Sequence, residues 1–329
     1  VGDYMSDGGY FSMFSNLVEK YGLVPKSSMN ETFQSEYSQD MNDVINEHLH
    51  ACASFIFNHR KTTKKHLLQI KEKTMCQIYN ILVKFLGTPP KTFSWAYINE
   101  EGESNVIANL TPQLFKNLVI PSVDVTDYVI LSNSETIPYK QLYEIKFTNN
   151  VYEGKNEIFV NLPMNELVKY SMKSVLSRMP VWFASDVGKN FDPIHSVLDN
   201  KLFNENLVFG ETLPFSREDR IKFKNLQGSH AMTLIGVNVN ESGNVDSWQV
   251  ENSWGYYDNE TPGEDGFLYM SQSWFENNVV QVCIHKSFLS RSIQNILKQT
   301  PKVINPWDSM APAKIVNRHP HRLWKSKFD

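Results

Sequence analysis

His230 heads an apolar run, "GSHAMTLIGV" at 228–237, and Asn252 lies in the next promising segment, "VENSWGYYDNE" at 250–260. Between them, "NESGN" at 240–244 carries the Asn, Ser and Gly signals of a tight turn. With that turn centred near Ser242, His230 faces Trp254 and Met232 faces Asn252 across a β-hairpin. Side chains alternate along a strand, so His230, Met232, Leu234, Val250, Asn252 and Trp254 share one face. His230 and Asn252 then become diagonal neighbours, within reach of an imidazole–amide hydrogen bond. A slip of one residue separates them.

That pairing suits one kind of chemistry. An Asn carbonyl accepts a ring N–H, fixes the tautomer and orients the imidazole without adding charge. The other ring nitrogen can then take the proton of a thiol, and the thiolate–imidazolium pair is a nucleophile for acyl transfer. Trp254 would shield the His–Asn bond from competing water. Taken singly, a strand His is most often a core or edge residue and N-S-W-G a strand end. Together, in this order, they point to thiol chemistry.

The elements that must position the pair are legible around it. Apolar residues recur at helical spacing over 11–21, ending at Gly22, and again over 38–58 and 64–86, ending at "GTPP". The last two predict a helical insertion packed on a scaffold made elsewhere in the chain. Between them, "KTTKKHLLQIKEK" at 61–73 reads as a solvated helix face rather than a nucleic-acid patch. Residues 95–160 read as strands and loops, 163–178 as a helix, and "PVWFASDV" as a strand. From 229 onward the pattern is β, with a short helix at "SQSWFENN". The C-terminal "NPWDSMAPAKIVNRHPHRLWKSKFD" reads as an arm running over a surface.

The 329 residues suffice for two packed lobes, and 41% apolar residues supply a core. A net charge of −4 gives no electrostatic argument for nucleic acid. Cys52, Cys76 and Cys283 lack C-x-x-C spacing, so neither a disulfide framework nor a zinc site is expected, and no cofactor. All three read as buried small apolar residues. Sparse cysteines favour a reducing, cytoplasmic setting, with a mitochondrial one open because no natural start is seen. No apolar run reaches the roughly 18 residues of a membrane span, and no membrane partner is expected.

The chain resembles the bleomycin hydrolase and aminopeptidase C group of papain-like cysteine peptidases. The matching stretches are "DGG…NLVEKYGLVPKS", "LGTPPKTFSWAY", "VWFASDVGKNF", "GSHAMTLIGV", "WQVENSWG" and "INPWDSMAPA". The resemblance implies an α+β, papain-like two-lobe fold with a helical insertion, its left-lobe central helix missing from this chain. It implies residues 1–36 as a remnant of the left lobe, 37–95 as the insertion, 96–300 as a right lobe with an antiparallel sheet carrying His and Asn, and 301–329 as a C-terminal arm with a basic tail. His230 would be the general base and acid, Asn252 its orienting partner and Trp254 the shield. Gly8 and Gly9 would form a cleft wall that hydrogen-bonds the substrate backbone, or else a plain tight turn. Ser229 and the "ASD" at 184–186 would lie near the specificity pocket. Peptide substrates and a homohexamer are implied, with the arm restricting attack to N-terminal residues.

Two departures stand against this. The group's nucleophile is a Cys at the N-terminus of the central helix; Cys52 and Cys76 are mid-helix and Cys283 is in a strand. An upstream segment or a partner chain is therefore expected to bring the nucleophile and cover the cleft. The tail beyond Ala313, with Lys314, Arg318, Arg322, Lys325 and Lys327, is longer than the group's, and offers the one place where an acidic partner or RNA could bind. The sequence thus leaves two readings: a cysteine aminopeptidase whose nucleophile lies outside this chain, or a pseudo-peptidase kept as a scaffold or subunit of a larger assembly.

Overall fold

The computed structural model describes residues 4–5, 8–59, 61–119, 124–211, 213–253 and 266–306. Its elements, in chain order, begin with α1 (Phe11–Tyr21), α2 (Phe33–Glu36), α3 (Gln39–Asn58), α4 (Lys64–Leu86), β1 (Phe93–Ile98), β2 (Ser104–Leu110) and α5 (Pro112–Val119). There follow β3 (Tyr128–Ser132), β4 (Gln141–Ile145), β5 (Glu157–Asn161), α6 (Met164–Leu176), β6 (Val181–Ser185), β7 (Phe191–Asp192) and β8 (Val197–Leu198). The remainder are α7 (Glu205–Phe209), α8 (Arg217–Lys222), β9 (His230–Val239), β10 (Val245–Glu251), β11 (Phe267–Ser271), α9 (Gln272–Asn278), β12 (Val279–His285), α10 (Arg291–Ile296) and β13 (Lys302–Ile304). The three long helices expected from periodicity end within a residue or two of their predicted limits.

The chain divides into two compact units, Val1–Asp7 with Lys20–Ser122 and Gly8–Glu19 with Val123–Asp329. This division departs from the sequence expectation at two places. The β1–β2 hairpin and α5 sort with the helices, because Phe93, Leu110 and Phe115 close a small core of their own with Leu23 and Trp95. Residues 8–19 sort with the sheet, because Tyr10, Phe11 and Met13 pack onto its underside.

In the first unit α3 and α4 form an antiparallel pair. Met41 and Ile45 near the start of α3 bury against Ile78, Ile81, Leu82 and Phe85 near the end of α4. Thr63 caps α4, its Oγ1 accepting the His66 N–H, and Gly87 ends it at φ 86°, a left-handed conformation that costs a glycine least.

The second unit is built on one sheet of eleven strands in the order β13-β4-β5-β3-β12-β6-β9-β10-β11-β8-β7. The sheet is mixed rather than antiparallel throughout: β13–β4, β3–β5 and β11–β8 pair in parallel. Strand alternation gives it two apolar faces. On one, Leu131, Val160, Phe183, Met232, Leu234, Val250 and Val282 pack with α6 and α10. Helix α6 forms there because Leu167, Tyr170, Ser171, Ser174 and Val175 recur at the spacing of a single stripe and are all buried. Trp248, fully buried, stacks on Phe275 and donates its indole N–H to Gln272 Oε1 at 2.8 Å. Burying such a ring contributes roughly 1.5–3 kcal/mol.

The other face holds Tyr10, Ile130, Tyr143, Ile145, Phe159, Cys283 and Ile304. Glu157 of β5 sits among them, fully buried. Burial raises its pKa to about 7, against the lowering effect of Ser12 and Gln281. Gln281 Nε2 donates to Oε1 at 3.3 Å.

Candidate active site

The hairpin predicted from "NESGN" is β9–β10. Asn240 closes its turn, its backbone N–H reaching Asn244 O at 2.9 Å and its Oδ1 accepting the N–H groups of Ser242 and Asn244. Gly243 adopts φ 80°. Near the site Val250 pairs with Leu234 and Glu251 with Thr233, the register expected from the sequence. Nearer the turn the pairing is offset by irregularities at 245–247 and 249–250. Strand β10 ends at Glu251, and Asn252 continues it by donating its N–H to Gly266 O at 2.8 Å.

His230 and Asn252 meet as the pattern requires: His230 Nε2 lies 2.8 Å from Asn252 Oδ1. Both side chains are buried, at 5% and 9% exposure. The donor and acceptor roles follow from a second bond. Asn252 Oδ1 also accepts the backbone N–H of Ser253 at 2.8 Å, so that atom is the amide oxygen. An oxygen accepts only, so Nε2 carries a ring proton, and in the neutral ring the lone pair lies on Nδ1. The arrangement therefore delivers an imidazole oriented by a neutral partner through Nε2, with Nδ1 on the side of the ring away from that bond.

The strand beside β9 fixes where the imidazole starts. Ser185 of β6 pairs directly with His230 and Phe183 with Met232. Ser229 is clasped to this strand end: its N–H donates to Ser185 O at 2.8 Å, and its hydroxyl donates to the same oxygen at 3.3 Å. That hydroxyl also accepts the Val187 N–H at 3.1 Å. The "ASD" at 184–186 thus lies against Ser229 and His230, with Asp186 paired to Lys189 at 3.1 Å.

Two arginines that the sequence pattern does not single out brace the approach to β9. Arg217, almost fully buried, donates to Val279 O at 2.8 Å and to Asn133 Oδ1, and pairs with Glu135 at 3.3 Å. Arg220 donates to Asn277 O at 3.1 Å and Asn278 Oδ1 at 2.9 Å. Both lie on α8, whose chain returns through Leu226 into Ser229–His230. The signal was present as "REDR" behind Ser216, an N-cap whose hydroxyl accepts the Asp219 N–H, but its partners are remote in sequence.

Gly8 and Gly9 lie half-buried just before α1. At Gly9 a Cβ would find only Met13 Sδ at 3.5 Å, an ordinary contact, and its φ is not left-handed. Among the described residues nothing demands glycine at position 9. The segment is tied to the site's sheet through Phe11, whose ring packs 5.6 Å from that of Trp182 on β6. Trp254 lies outside the described residues, as does the C-terminal arm beyond 306.

The three cysteines stand apart from the pair. Cys283 is buried on the far sheet face, where burial and Glu157 raise its thiol pKa well above the ordinary value. The expectation that all three are buried is corrected for the other two. Cys76 is exposed and Cys52 partly so, because α3 and α4 each bury only the half that meets the other's core. Neither lies at a helix N-terminus. Among the described residues no group of three or more His, Cys, Asp or Glu is placed to hold a metal.

A profile of the Peptidase C1-like family matches residues 2–311. The chain belongs to this family. Aminopeptidase C of Listeria monocytogenes is 35% identical over 306 residues, covering 92% of this chain and 68% of the relative. Bleomycin hydrolase of Mus musculus is 32% identical over 313 residues, covering 93% and 68%. A crystal structure of pepw from Lactobacillus rhamnosis matches with a TM-score of 0.87 at 32% identity, over 93% of this chain and 69% of that one. The Peptidase C1-like chain thus has the papain-like α+β fold that its motifs implied, and its resemblance to the bleomycin hydrolase and aminopeptidase C group extends through the whole β9–β10 hairpin.

Proposed function

We propose that this chain carries the base half of a cysteine aminopeptidase, with the nucleophilic thiol contributed from outside Val1–Asp329. The observation that carries the reading is the buried His230 Nε2–Asn252 Oδ1 bond at 2.8 Å, with Ser253 N–H fixing the amide. In the reaction Nδ1 takes the thiol proton, and the thiolate attacks the carbonyl carbon of the substrate's first peptide bond. The imidazolium returns that proton to the leaving amine as the C–N bond breaks. Water, deprotonated by Nδ1, then releases the acyl group from sulfur. Asn252 holds the ring in place through both steps and compensates the imidazolium by its carbonyl dipole.

Gly8 and Gly9 fit the substrate wall. No described residue requires glycine at position 9, and a bare backbone there lets an extended peptide approach closely. Trp254 is assigned to shielding the His–Asn bond. Ser229 serves by holding the strand end that presents His230. Relatives named aminopeptidase C, aminopeptidase G and bleomycin hydrolase support the substrate class, the N-terminal residues of peptides.

The second reading, a pseudo-peptidase retained as a scaffold, is favoured by one observation. None of Cys52, Cys76 and Cys283 lies at a helix N-terminus, the position that would favour a thiolate. The two readings separate in the complete polypeptide, assayed with a fluorogenic aminoacyl amide and treated with a thiol alkylator. The active reading expects inactivation to track one labelled peptide outside Val1–Asp329, and His230→Ala to lower kcat by about 10²–10⁴-fold. Activity retained in His230→Ala removes the mechanism. Absence of activity-linked labelling supports the scaffold.

A further inference from the structure

The second unit buries a carboxyl group that the proposed reaction does not use. Glu157 opens β5 on the sheet face onto which Tyr10, Phe11 and Met13 pack, and it is fully buried there. Its strand is fixed. The Glu157 N–H donates to Thr148 Oγ1 at 2.7 Å, and β5 is paired with β4 on one side and β3 on the other. From β4, Ile145 lies directly opposite, and Tyr143 donates its hydroxyl to Pro138 O at 3.1 Å. From β3 comes Ile130, while Tyr128 faces Cys283. From β12, Gln281 donates to the carboxyl at 3.3 Å and Cys283 faces it. From the chain entering α1, Tyr10 faces it and Ser12 lies against it. Burial raises the pKa of both Tyr10 and Cys283, so both stay protonated. Among the described residues, none of the groups acting on the Glu157 carboxyl is a cation.

We infer that Glu157 is a proton-operated latch on residues 8–15, which seat on the sheet over its neutral carboxyl and loosen when it ionises. A neutral carboxyl is satisfied by the neutral groups around it. An ionised one sits in an apolar site with no opposite charge, and the least costly relief is to admit water. The strands cannot open without breaking ladder bonds, whereas the start of α1 can lift. Asn16 is the hinge, since it stays tied to Lys155 by bonds of 2.9 and 3.0 Å in the same unit. The direction follows from linkage. The seated segment keeps Glu157 at a pKa of about 7 against the ordinary 4.5, so it holds the proton more tightly than the lifted one. Lifting therefore becomes easier as pH rises from 4.5 to about 7 and levels off above, a change of about 70-fold between pH 5 and pH 8. Gly8 and Gly9 directly precede Tyr10, so the latch also governs how firmly the backbone assigned to the substrate wall is held. That consequence rests on the function proposed above; the latch itself does not.

The test is amide hydrogen exchange of the complete polypeptide between about pH 5 and pH 8, corrected for intrinsic rates and read at residues 11–15. Protection there should fall about 70-fold across the range. It should also lie about ten-fold or more below that of β9, the mark of a local opening. Glu157→Gln, which stays neutral, should abolish the fall. Protection that does not change with pH, a fall that persists in Glu157→Gln, or equal protection in residues 11–15 and β9 would each overturn the latch. If Glu157→Gln does not fold, infrared spectroscopy of the parent decides: a protonated carboxyl should survive to about pH 6 and be lost at about 7, and its absence at about pH 6 overturns the proposal. Steady-state kinetics with an aminoacyl amide separate the latch from the wall. KM should rise with pH in the parent more than in Glu157→Gln, with matching kcat profiles. Coinciding KM profiles, with exchange as expected, would leave the latch standing and remove Gly8 and Gly9 from the wall.

Discussion

His230 and Asn252 form a unit whose chemistry depends on which atoms carry protons. The Ser253 N–H identifies the amide oxygen, and that oxygen places the ring proton on Nε2. On the proposed mechanism, replacing Asn252 by Ala lowers kcat of the complete polypeptide more than it changes KM, because it releases the ring without touching substrate; steady-state kinetics check this. Glu157 makes a separate residue-scale prediction. Its folded pKa of about 7 lies above the ordinary 4.5, so the folded protein holds the proton more tightly than the unfolded chain. Its stabilising contribution is complete below 4.5 and is lost as pH rises to about 7, a change on the order of 3 kcal/mol. Glu157→Gln, which stays neutral, should flatten that part of the stability–pH curve and be the more stable protein above neutrality. Urea denaturation across the window measures it.

At the scale of elements, the site depends on how α1 and the β9–β10 hairpin are held. Asn16 of α1 is buried and bridges to the 149–155 loop, donating to Lys155 O at 2.9 Å and accepting the Lys155 N–H at 3.0 Å. Asn16→Ala leaves both backbone groups without that partner. It should cost about 1–3 kcal/mol of stability, read from thermal unfolding, and loosen the segment that carries Gly8 and Gly9. On the hairpin, a Cβ at Gly236 would come within 3.0 Å of the Gln249 side chain, next to the irregularity at 249–250. Gly236→Val should overpack this point by about 1–3 kcal/mol and disturb the register that brings His230 to Asn252. A larger fall in kcat than in stability would locate the effect at the site.

Across the whole molecule, the thiols report the folded state. Cys76 is exposed, Cys52 partly so, and Cys283 is buried with its pKa raised. Under native conditions a maleimide should modify Cys76 first and leave Cys283 untouched until the sheet unit unfolds, with intact-mass spectrometry counting the additions. If the nucleophile lies outside Val1–Asp329, Cys76→Ser should leave activity at the parental level.

Short-range pattern determined a good part of this. Helical periodicity marked α1, α3, α4 and α6, because an amphipathic stripe is a local property of the chain. The turn signal at Asn240–Asn244 and alternation predicted the pairing at Val250, and hence the His230–Asn252 pair, but the irregularities at 245–247 and 249–250, the second of which restores the register shifted by the first, carry no local signal. Other features needed the tertiary structure. The parallel pairs of the sheet, the Arg217 and Arg220 braces and the burial of Glu157 join residues dozens of positions apart, which no local signal encodes. The exposure of Cys76 was equally out of reach. An apolar stripe says that a face can be buried, and only packing decides whether anything is there to bury it.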